Sequence, residues 1–492
     1  VSTQPPRVLV VDLNNFAYYP TIAVGYLVAV LRRADCRVEV LSPLMLGVPS
    51  GLREKTEGWI DHVERRVSYS TRPWIEGPRR VLGGIRARWR SRPEDRVRAR
   101  IGRALVDPPD AVLISTYTDS YALCVALAAA CERAGVPVLL GGPAFNQPRI
   151  ADEWRSIPGV VAVVGGEVEL SLSEMVRDAI ERRDLARHAG VFLPDGRTGP
   201  TSPPLRALDD LPYPDYRDFP WHLYPHKIVP VLTGRGCGWA RCTFCADIVT
   251  ANGRSYRSRR AVRVLDEIEE QTGRYQTSNV TFLDIKLNSN LDTWHAIADE
   301  LPARVPGAKW ICAVHVGPER PNGLSSAELT KAARSGLARI TFGLESGSQR
   351  MLDAMDKGTK VEANAEFLRR ASEAGISVRC TVIQGYPGEE ADDLEQTAQF
   401  LEAHVPYLDR VRLNRFNALV GARFARDFEK DASAFPSLRD LQWEYRFARS
   451  RYRYLPAETE PYRRAMRRLL RAVHAVNRKP LRETAREFDG VM

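Results

Sequence analysis

From residue 228 onward the chain repeats one pattern, a short candidate strand followed by residues at helical spacing. The candidate strands lie near 228–234, 279–284, 308–314, 338–344, 377–384 and 409–415. Runs of that length bounded by turn residues read as buried strands, and strands that alternate with helices pair in parallel. Six βα units in series predict a curved parallel sheet closing into a partial (β/α)6 barrel. Functional groups in such a barrel stand at the carboxyl ends of its strands. The fold class expected is α/β.

The first of these strands runs directly into Thr233-Gly-Arg-Gly-Cys237-Gly-Trp-Ala-Arg-Cys242-Thr-Phe-Cys245. Three thiols in nine residues of a glycine-rich loop indicate a soft-metal site. A structural zinc site wants four ligands, commonly as two paired knuckles, and no second Cys/His pair follows; Cys312 and Cys380 stand alone in apolar runs. Three thiolates instead suit a [4Fe-4S] cluster with one iron left open. Zinc and a disulfide are the alternatives, and both rank below the cluster.

The loop resembles the cluster motif of the radical S-adenosylmethionine (SAM) superfamily, in which SAM chelates the open iron. The usual spacing is Cys-x3-Cys-x2-Cys, whereas this loop has Cys-x4-Cys-x2-Cys, with the extra residue in Gly-Trp-Ala. The resemblance implies that Cys237, Cys242 and Cys245 hold the cluster and that Phe244 packs near the SAM adenine. It extends to Phe282-Leu-Asp284 on the second strand, where Ile285 replaces a common second acid, and to Gly343-Leu-Glu345-Ser346-Gly-Ser-Gln349 on the fourth. It also covers the turn Gly385-Tyr-Pro387-Gly-Glu389 after the fifth. Asp284, Glu345, Ser346, Gly385 and Pro387 are accordingly expected around SAM, with Glu345 accepting hydrogen bonds from the SAM amino group or ribose. The plainer reading of Glu345 is an acid at a helix amino terminus.

Residues 7–170 form a second series of βα units, with strands at Arg7–Asp12, Val38–Ser42, Ala111–Ser115, from Val136 and from Val160, and an Arg-rich helical insertion at 52–106. Small or polar residues end three successive strands: Ser115, Thr116 and Thr118, then Gly141 and Gly142, then Gly165, Gly166 and Glu167. Ligands of open α/β sheets bind beyond strand carboxyl ends; the plainer reading is a set of tight βα turns. Followed by the cysteine loop, this Rossmann-like unit resembles the cobalamin-binding domain of cobalamin-dependent radical SAM enzymes. The resemblance implies that Ser115, Thr118, Gly141, Gly142, Gly165, Gly166 and Glu167 surround cobalamin. The Asp-x-His-x-x-Gly signature is absent, which leaves the lower axial ligand unassigned. Gly-Glu-Val-Glu replaces the family's Gly-Glu-Gly-Glu at 166–169.

The organisation expected is a cobalamin-binding domain at 1–194, a Pro- and Asp-rich linker at 195–227, the TIM-like radical SAM barrel at 228–425, and a helical C-terminal extension at 426–492. The 492 residues carry a net charge of +10, concentrated in arginines between Arg79 and Arg103 and between Arg446 and Arg471. No nucleic-acid-binding motif accompanies that charge, so it reads as solvated helix faces rather than a nucleic-acid surface. No apolar run approaches the roughly 18 residues of a membrane helix. The chain enters a strand by Val8 with no leader pattern, and its eight cysteines make no secreted-protein framework. A cytoplasmic protein without membrane partners is expected.

An unactivated C–H bond is beyond any side-chain base, so chemistry on it calls for cofactor radicals. The resemblance implies a cobalamin-dependent radical SAM methyltransferase. It would move a methyl group from methylcobalamin to an unactivated carbon, or phosphorus, of a small-molecule or peptide natural-product intermediate, after hydrogen abstraction by the 5′-deoxyadenosyl radical. A flavodoxin- or ferredoxin-type electron donor is implied. The alternatives are a rearrangement, cyclisation or ring contraction without methyl transfer, and a non-catalytic cobalamin or redox sensor.

Overall fold

The computed structural model describes residues 4–14, 18–48, 55–72, 74–75, 95–246, 256–317 and 322–491. Its first sheet contains β1 (Arg7–Asp12), β2 (Arg37–Leu41), β3 (Ala111–Ser115), β4 (Val138–Gly141), β5 (Val160–Val164) and β6 (Val191–Phe192). The order is β2-β1-β3-β4-β5-β6, parallel except for β6, which runs antiparallel to β5. Every residue of β3 is buried, as expected for a strand covered by helices on both faces. Strand order reverses between β1 and β3, whose ends place Asp12 beside Ser115. Such a switch point opens a crevice for a ligand.

The glycines at the strand ends have a tighter assignment than the sequence permits. A Cβ added at Gly142 would stand 2.0 Å from the Thr116 carbonyl oxygen, and one at Gly165 would stand 2.2 Å from that of Phe145. Backbone packed on backbone within the βα turns therefore demands both residues. Gly142→Ala is expected to destabilise the protein by about 1–3 kcal/mol through overpacking, seen as a lowered thermal midpoint in the absence of cofactors. An unchanged midpoint would return Gly142 to a purely ligand-facing role.

The second sheet comprises β7 (Val229–Val231), β10 (Asn279–Phe282), β11 (Lys309–Val314), β12 (Leu337–Glu345), β13 (Ser377–Gln384) and β14 (Arg410–Arg415). A small antiparallel pair, β8 (Gly234–Arg235) and β9 (Arg257–Ser258), projects from the loop after β7. The six main strands are parallel and lie in chain order, β7 and β14 forming the two edges of a partial barrel. At the opposite end from the loops, Arg339, Arg379 and Arg410 are buried on three adjacent strands. Arg339 donates to the carbonyls of Phe488 (2.7 Å) and Val491 (2.5 Å), and Arg379 to that of Val491 (2.8 Å). The segment Glu483–Phe488 and the residues after it thus plug the amino end of the barrel.

The C-terminal extension carries the expected helix and, before it, a ribbon that was not expected. An antiparallel ribbon, β15 (Leu438–Glu444) and β16 (Arg449–Tyr454), precedes the helix Glu460–Asn477. The alternation in Arg449-Ser-Arg-Tyr-Arg-Tyr454 has the period of a strand, and the burial of β16 follows it in part. The helix packs on Ala391–Ala403, where Arg468 bridges Glu395 and Glu402 at 2.7 Å each. The tip of the ribbon reaches the first sheet. Trp154 Nε1 donates to the Arg446 carbonyl (2.9 Å), and Thr118 Oγ1 to that of Phe447 (3.2 Å). Within the 52–106 insertion, helices occupy Trp59–Tyr69 and 95–104; 52–54, 73 and 76–94 lie outside the described residues. No described helix is long and apolar enough to cross a membrane.

Candidate functional site

The cysteine loop leaves the carboxyl end of β7, anchored at its base by Asp284 from the end of β10. Thr233 donates to the Asp284 carboxylate from its backbone N (3.1 and 3.2 Å) and its Oγ1 (2.7 Å). Burial raises Asp284 to about 6, opposed by those bonds. The extra residue of the Cys-x4-Cys spacing is absorbed by a built turn. Ala240 takes a left-handed conformation (φ 49°), and Trp239 stacks on His315 with ring centroids 5.9 Å apart. The Trp239 indole donates to the Asp356 carbonyl (2.8 Å) and covers Gly358 so closely that a Cβ there would sit 2.1 Å from the ring.

All three loop cysteines are half-buried free thiols. They share two lysine neighbours: Lys286 feels Cys237 and Cys242, and Lys357 feels Cys242 and Cys245. Burial pushes the Cys242 thiol up and Lys357 opposes it. Among the described residues no three His, Cys, Asp or Glu side chains are drawn together as a metal site. The donor chemistry still fits a soft cluster, with three thiols on one loop beside two ammonium groups that favour thiolates.

Glu345 reaches the same place from β12. Its backbone is left-handed (φ 58°), at a register irregularity between β12 and β13. A non-glycine residue held so is strained by about 1–3 kcal/mol and persists where its surroundings over-determine it. Its carboxylate accepts from Lys357 Nζ (3.2 Å) and Thr381 Oγ1 (3.1 Å). Burial pulls the Lys357 ammonium down, but Glu345 and the cysteines outweigh it and hold it up. Lys357 Nζ also lies 5.8 Å from the Phe244 ring centroid. Cys237, Cys242, Cys245, Phe244 and Glu345 are thus gathered around Lys286 and Lys357, with Asp284 at the loop base. Ser346 faces elsewhere: its hydroxyl pairs with Thr397 Oγ1 (3.2 Å) and accepts from the Ser348 N–H (3.1 Å), supporting the turn.

The Gly385–Glu389 turn ends β13. Gly385 (φ 80°) donates its N–H to the Glu389 carboxyl at 2.7 Å, and Pro387 is buried beside it. Two tyrosines from the C-terminal extension fasten the turn: Tyr462 donates to the Glu389 carboxyl (2.6 Å) and Tyr454 to the Glu389 carbonyl (2.5 Å). Burial raises Glu389 to about 8, against the bonds from Tyr462 and Gly385. An unfolded glutamate ionises near 4.5, so between pH 4.5 and 8 the unfolded chain releases a proton that the folded chain keeps. The stability linked to this group is therefore full below pH 4.5 and is lost as pH rises toward 8, by on the order of 3 kcal/mol at pH 7. Glu389→Gln should flatten that slope in urea denaturation at pH 5 and pH 8. Equal slopes in both proteins would mean that the carboxyl is ionised when buried.

At the end of the first sheet, Asn14 Nδ2 donates to Ser115 Oγ (3.1 Å) and Asp12 Oδ1 (3.0 Å), while Asn14 Oδ1 is buried with no partner among the described residues. Burial lifts Asp12 to about 6, against hydrogen bonds from Asn14. An orphaned acceptor in a switch-point crevice suits a polar ligand edge. Gly141 borders the same strand ends and Gly166 is left-handed (φ 100°). Two sequence-derived candidates are occupied otherwise. Thr118 holds the ribbon, as described above, and Glu167 forms a buried fork with Arg257 (2.6 and 3.0 Å). Arg235 pairs with Glu169 (2.6 Å) and lies 5.5 Å over the Tyr26 ring. Residues following β5 are in this way locked to residues following β7, so the carboxyl ends of both sheets border one interface.

Residues 231–401, from β7 through the helix after β13, match the model of the Radical SAM superfamily. The chain carries a radical SAM domain. An uncharacterized methyltransferase of Pyrococcus horikoshii is 27% identical over 301 residues, covering 59% of this chain and 64% of that protein. The anaerobic magnesium-protoporphyrin IX monomethyl ester cyclase of Rubrivivax gelatinosus is 27% identical over 274 residues, 53% of this chain and 48% of its own length. The cobalamin-dependent SAM radical enzyme OxsB, solved with aqua-cobalamin and SAM bound, superposes on 92% of this chain and 64% of its own, with a TM-score of 0.67 at 17% identity. That likeness establishes the fold, radical SAM domain and first sheet together. The chain spans less than two thirds of the length of each of these proteins.

Of the residues the sequence motifs name, the structure brings the three cysteines, Phe244 and Glu345 together. The motifs missed Lys286, Lys357 and His315, which lie far from the cysteines in sequence and belong to no motif. They also missed Tyr454 and Tyr462, whose partner Glu389 was visible only as a turn residue.

Proposed function

We propose that the chain is a cobalamin-dependent radical SAM methyltransferase acting on an unactivated carbon, or phosphorus, of a small-molecule or peptide substrate. The observation that supports this most is the lock described above: Glu167 and Glu169, after β5, pair with Arg257 and Arg235 of the β8–β9 pair, so the carboxyl-end face of the first sheet is fastened beside the cysteine loop. A two-cofactor reaction needs its reacting groups held across such a gap. In this reading Cys237, Cys242 and Cys245 hold a [4Fe-4S] cluster. Glu345 receives the amino group or ribose of SAM, Phe244 and the Gly385–Pro387 turn border its adenine, and Asp284 sets the loop. Asp12, Asn14, Ser115 and the glycines at 141 and 166 border cobalamin. When bound, these groups supply hydrogen abstraction and a transferable methyl group; the chain supplies placement and exclusion of water. A flavodoxin- or ferredoxin-type protein would deliver the electron. The cyclase relative favours a second reading, ring formation on the same cofactors without methyl transfer.

Anaerobic reconstitution with iron, sulfide and methylcobalamin, followed by SAM and a reductant, tests both readings by mass spectrometry. Formation of 5′-deoxyadenosine together with S-adenosylhomocysteine is expected of the methyltransferase. The first product alone favours the cyclase-type reading, and neither product with no bound iron or corrinoid overturns both.

A further inference from the structure

A cavity of about 1280 Å³ opens beside the radical SAM domain at its β14 edge. Its floor includes Gln384 and Gly385 from the end of β13 and Asn417 beyond β14. One wall is the insertion helix Trp59–Tyr69 with the residues after it, and the other is β16 with the helix Glu460–Asn477. Small-molecule pockets commonly span about 300–1,000 Å³, so this one admits more than an amino acid. Its wall composition is lopsided. Seven arginines line it, Arg66, Arg415, Arg451 and Arg463 among them, against a single acid among the described lining residues, Glu458. That acid is held in a fork by Arg453 (2.9 Å); behind the wall, Glu444 pairs with Arg451 (2.6 Å), and Glu460 bridges Arg467 (3.0 Å) and lies 4.0 Å from Arg72 and Arg463. Six aromatic rings share the lining. The Arg415 guanidinium lies 4.6 Å over the Tyr69 ring, and the Tyr452 hydroxyl is tied to the Phe416 carbonyl (2.6 Å).

Guanidinium forks match phosphate and carboxylate oxygens, and rigid aromatic faces accept a flat apolar body. We propose that this cavity is the substrate pocket and that its substrate is a small molecule with an anionic head, phosphate or carboxylate, on a flat apolar body. The assignment rests on the methyltransferase reading for its link to chemistry: Gly385 belongs both to the cavity floor and to the turn that borders the SAM site. The helix Trp59–Tyr69, the described residues that follow it as far as Ile75, and the C-terminal ribbon then have one shared task, to build a recognition wall against the open edge of the barrel.

Saturation-transfer NMR on the reconstituted full chain tests the assignment with phenyl phosphate, phenylacetate and phenol as probes. Saturable binding of one or both anions is expected, with phenol weaker by about tenfold or more, and the anion affinity should fall as salt is raised. The double variant R415Q/R463Q should lose about tenfold in anion affinity, while R415K/R463K, which keeps the charge, recovers part of it; thermal midpoints verify folding. Preference for phenyl phosphate identifies a phosphorylated substrate, and preference for phenylacetate a carboxylic acid. Phenol binding as well as the anions, or anion affinity unchanged in R415Q/R463Q, overturns the proposal. SAM cleavage by the wild-type preparation separates the two levels: anion binding without SAM cleavage rejects the methyltransferase reading alone, and cleavage without anion binding rejects the pocket alone.

Discussion

Alanine at any one of Cys237, Cys242 or Cys245 is expected to remove bound iron and to lower 5′-deoxyadenosine formation by on the order of a thousandfold or more, because no side chain offers another route to a carbon radical. The three variants should be equivalent, since a site-differentiated cluster needs all three thiolates. Cys312 and Cys380 provide the contrast. Both are buried in the strands β11 and β13, and burial pushes both thiols up, so Cys312→Ala should retain iron. Iron content and product yield on the same anaerobic preparations check the prediction. Full iron in Cys242→Ala, or iron lost equally in Cys312→Ala, would sink the assignment of the cluster to the loop. The loop variants should also fold, because the turn is held by other residues: Trp239 against Gly358, and Thr243, whose N–H donates to the Met355 carbonyl (3.0 Å).

The barrel strands were legible because each short strand-like run is followed by a segment of helical spacing, and the structure places them where that βα period lies; β14, Arg-Val-Arg-Leu-Asn-Arg, is readable only through that period. The ribbon at 438–454 was not, although its alternation is plain in retrospect: arginine and tyrosine in turn resemble a polar helix face when no apolar stripe marks one side. The site divides along the same line. Cysteines three and five residues apart announce themselves within a window, as do Gly-x-Glu-Ser-Gly and Gly-x-Pro-Gly-Glu. Lys357 does not, since what makes it notable is the fold bringing it to Glu345 and Phe244 from a loop twelve residues further along. Glycine was ambiguous for a physical reason: the same residue type serves a close ligand and a close backbone, and only distances such as those at Gly142 and Gly165 tell them apart.

The C-terminal extension changes how the two sheets are understood to cooperate. Its tyrosines fasten the Gly385–Glu389 turn, its ribbon tip bonds to Thr118 and Trp154, and its helix covers the β14 edge. One segment therefore touches the first sheet, the barrel mouth and the arginine-lined cavity. Glu389, a buried acid with two donors on one oxygen, is where the extension meets the Gly385–Glu389 turn, so Glu389→Gln also tests how firmly the extension is fastened there.

Glu167→Ala should separate the two halves of the proposed reaction. Glu167 and Arg257 side chains are only 8% and 10% exposed; removal of one partner from a buried ion pair costs up to about 3–5 kcal/mol, here offset in part because Arg257 keeps its bond to the Leu205 carbonyl (2.6 Å). The Leu205 N–H, which also donates to this carboxylate, loses its acceptor. These groups join the first sheet to the loop after β7, so their loss moves one cofactor site relative to the other while leaving each intact. A misplacement of about 1 Å can cost on the order of a hundredfold in a transfer step. S-adenosylhomocysteine formation, which in this reading requires both sites, is therefore expected to fall by about that factor, with iron content held and 5′-deoxyadenosine formation changed far less. Arg257→Ala should reproduce the split, because it breaks the same fork from the other side. Parallel loss of both products with loss of iron would make the pair a stability element only, and an unchanged product ratio would show that the pair does not set the spacing.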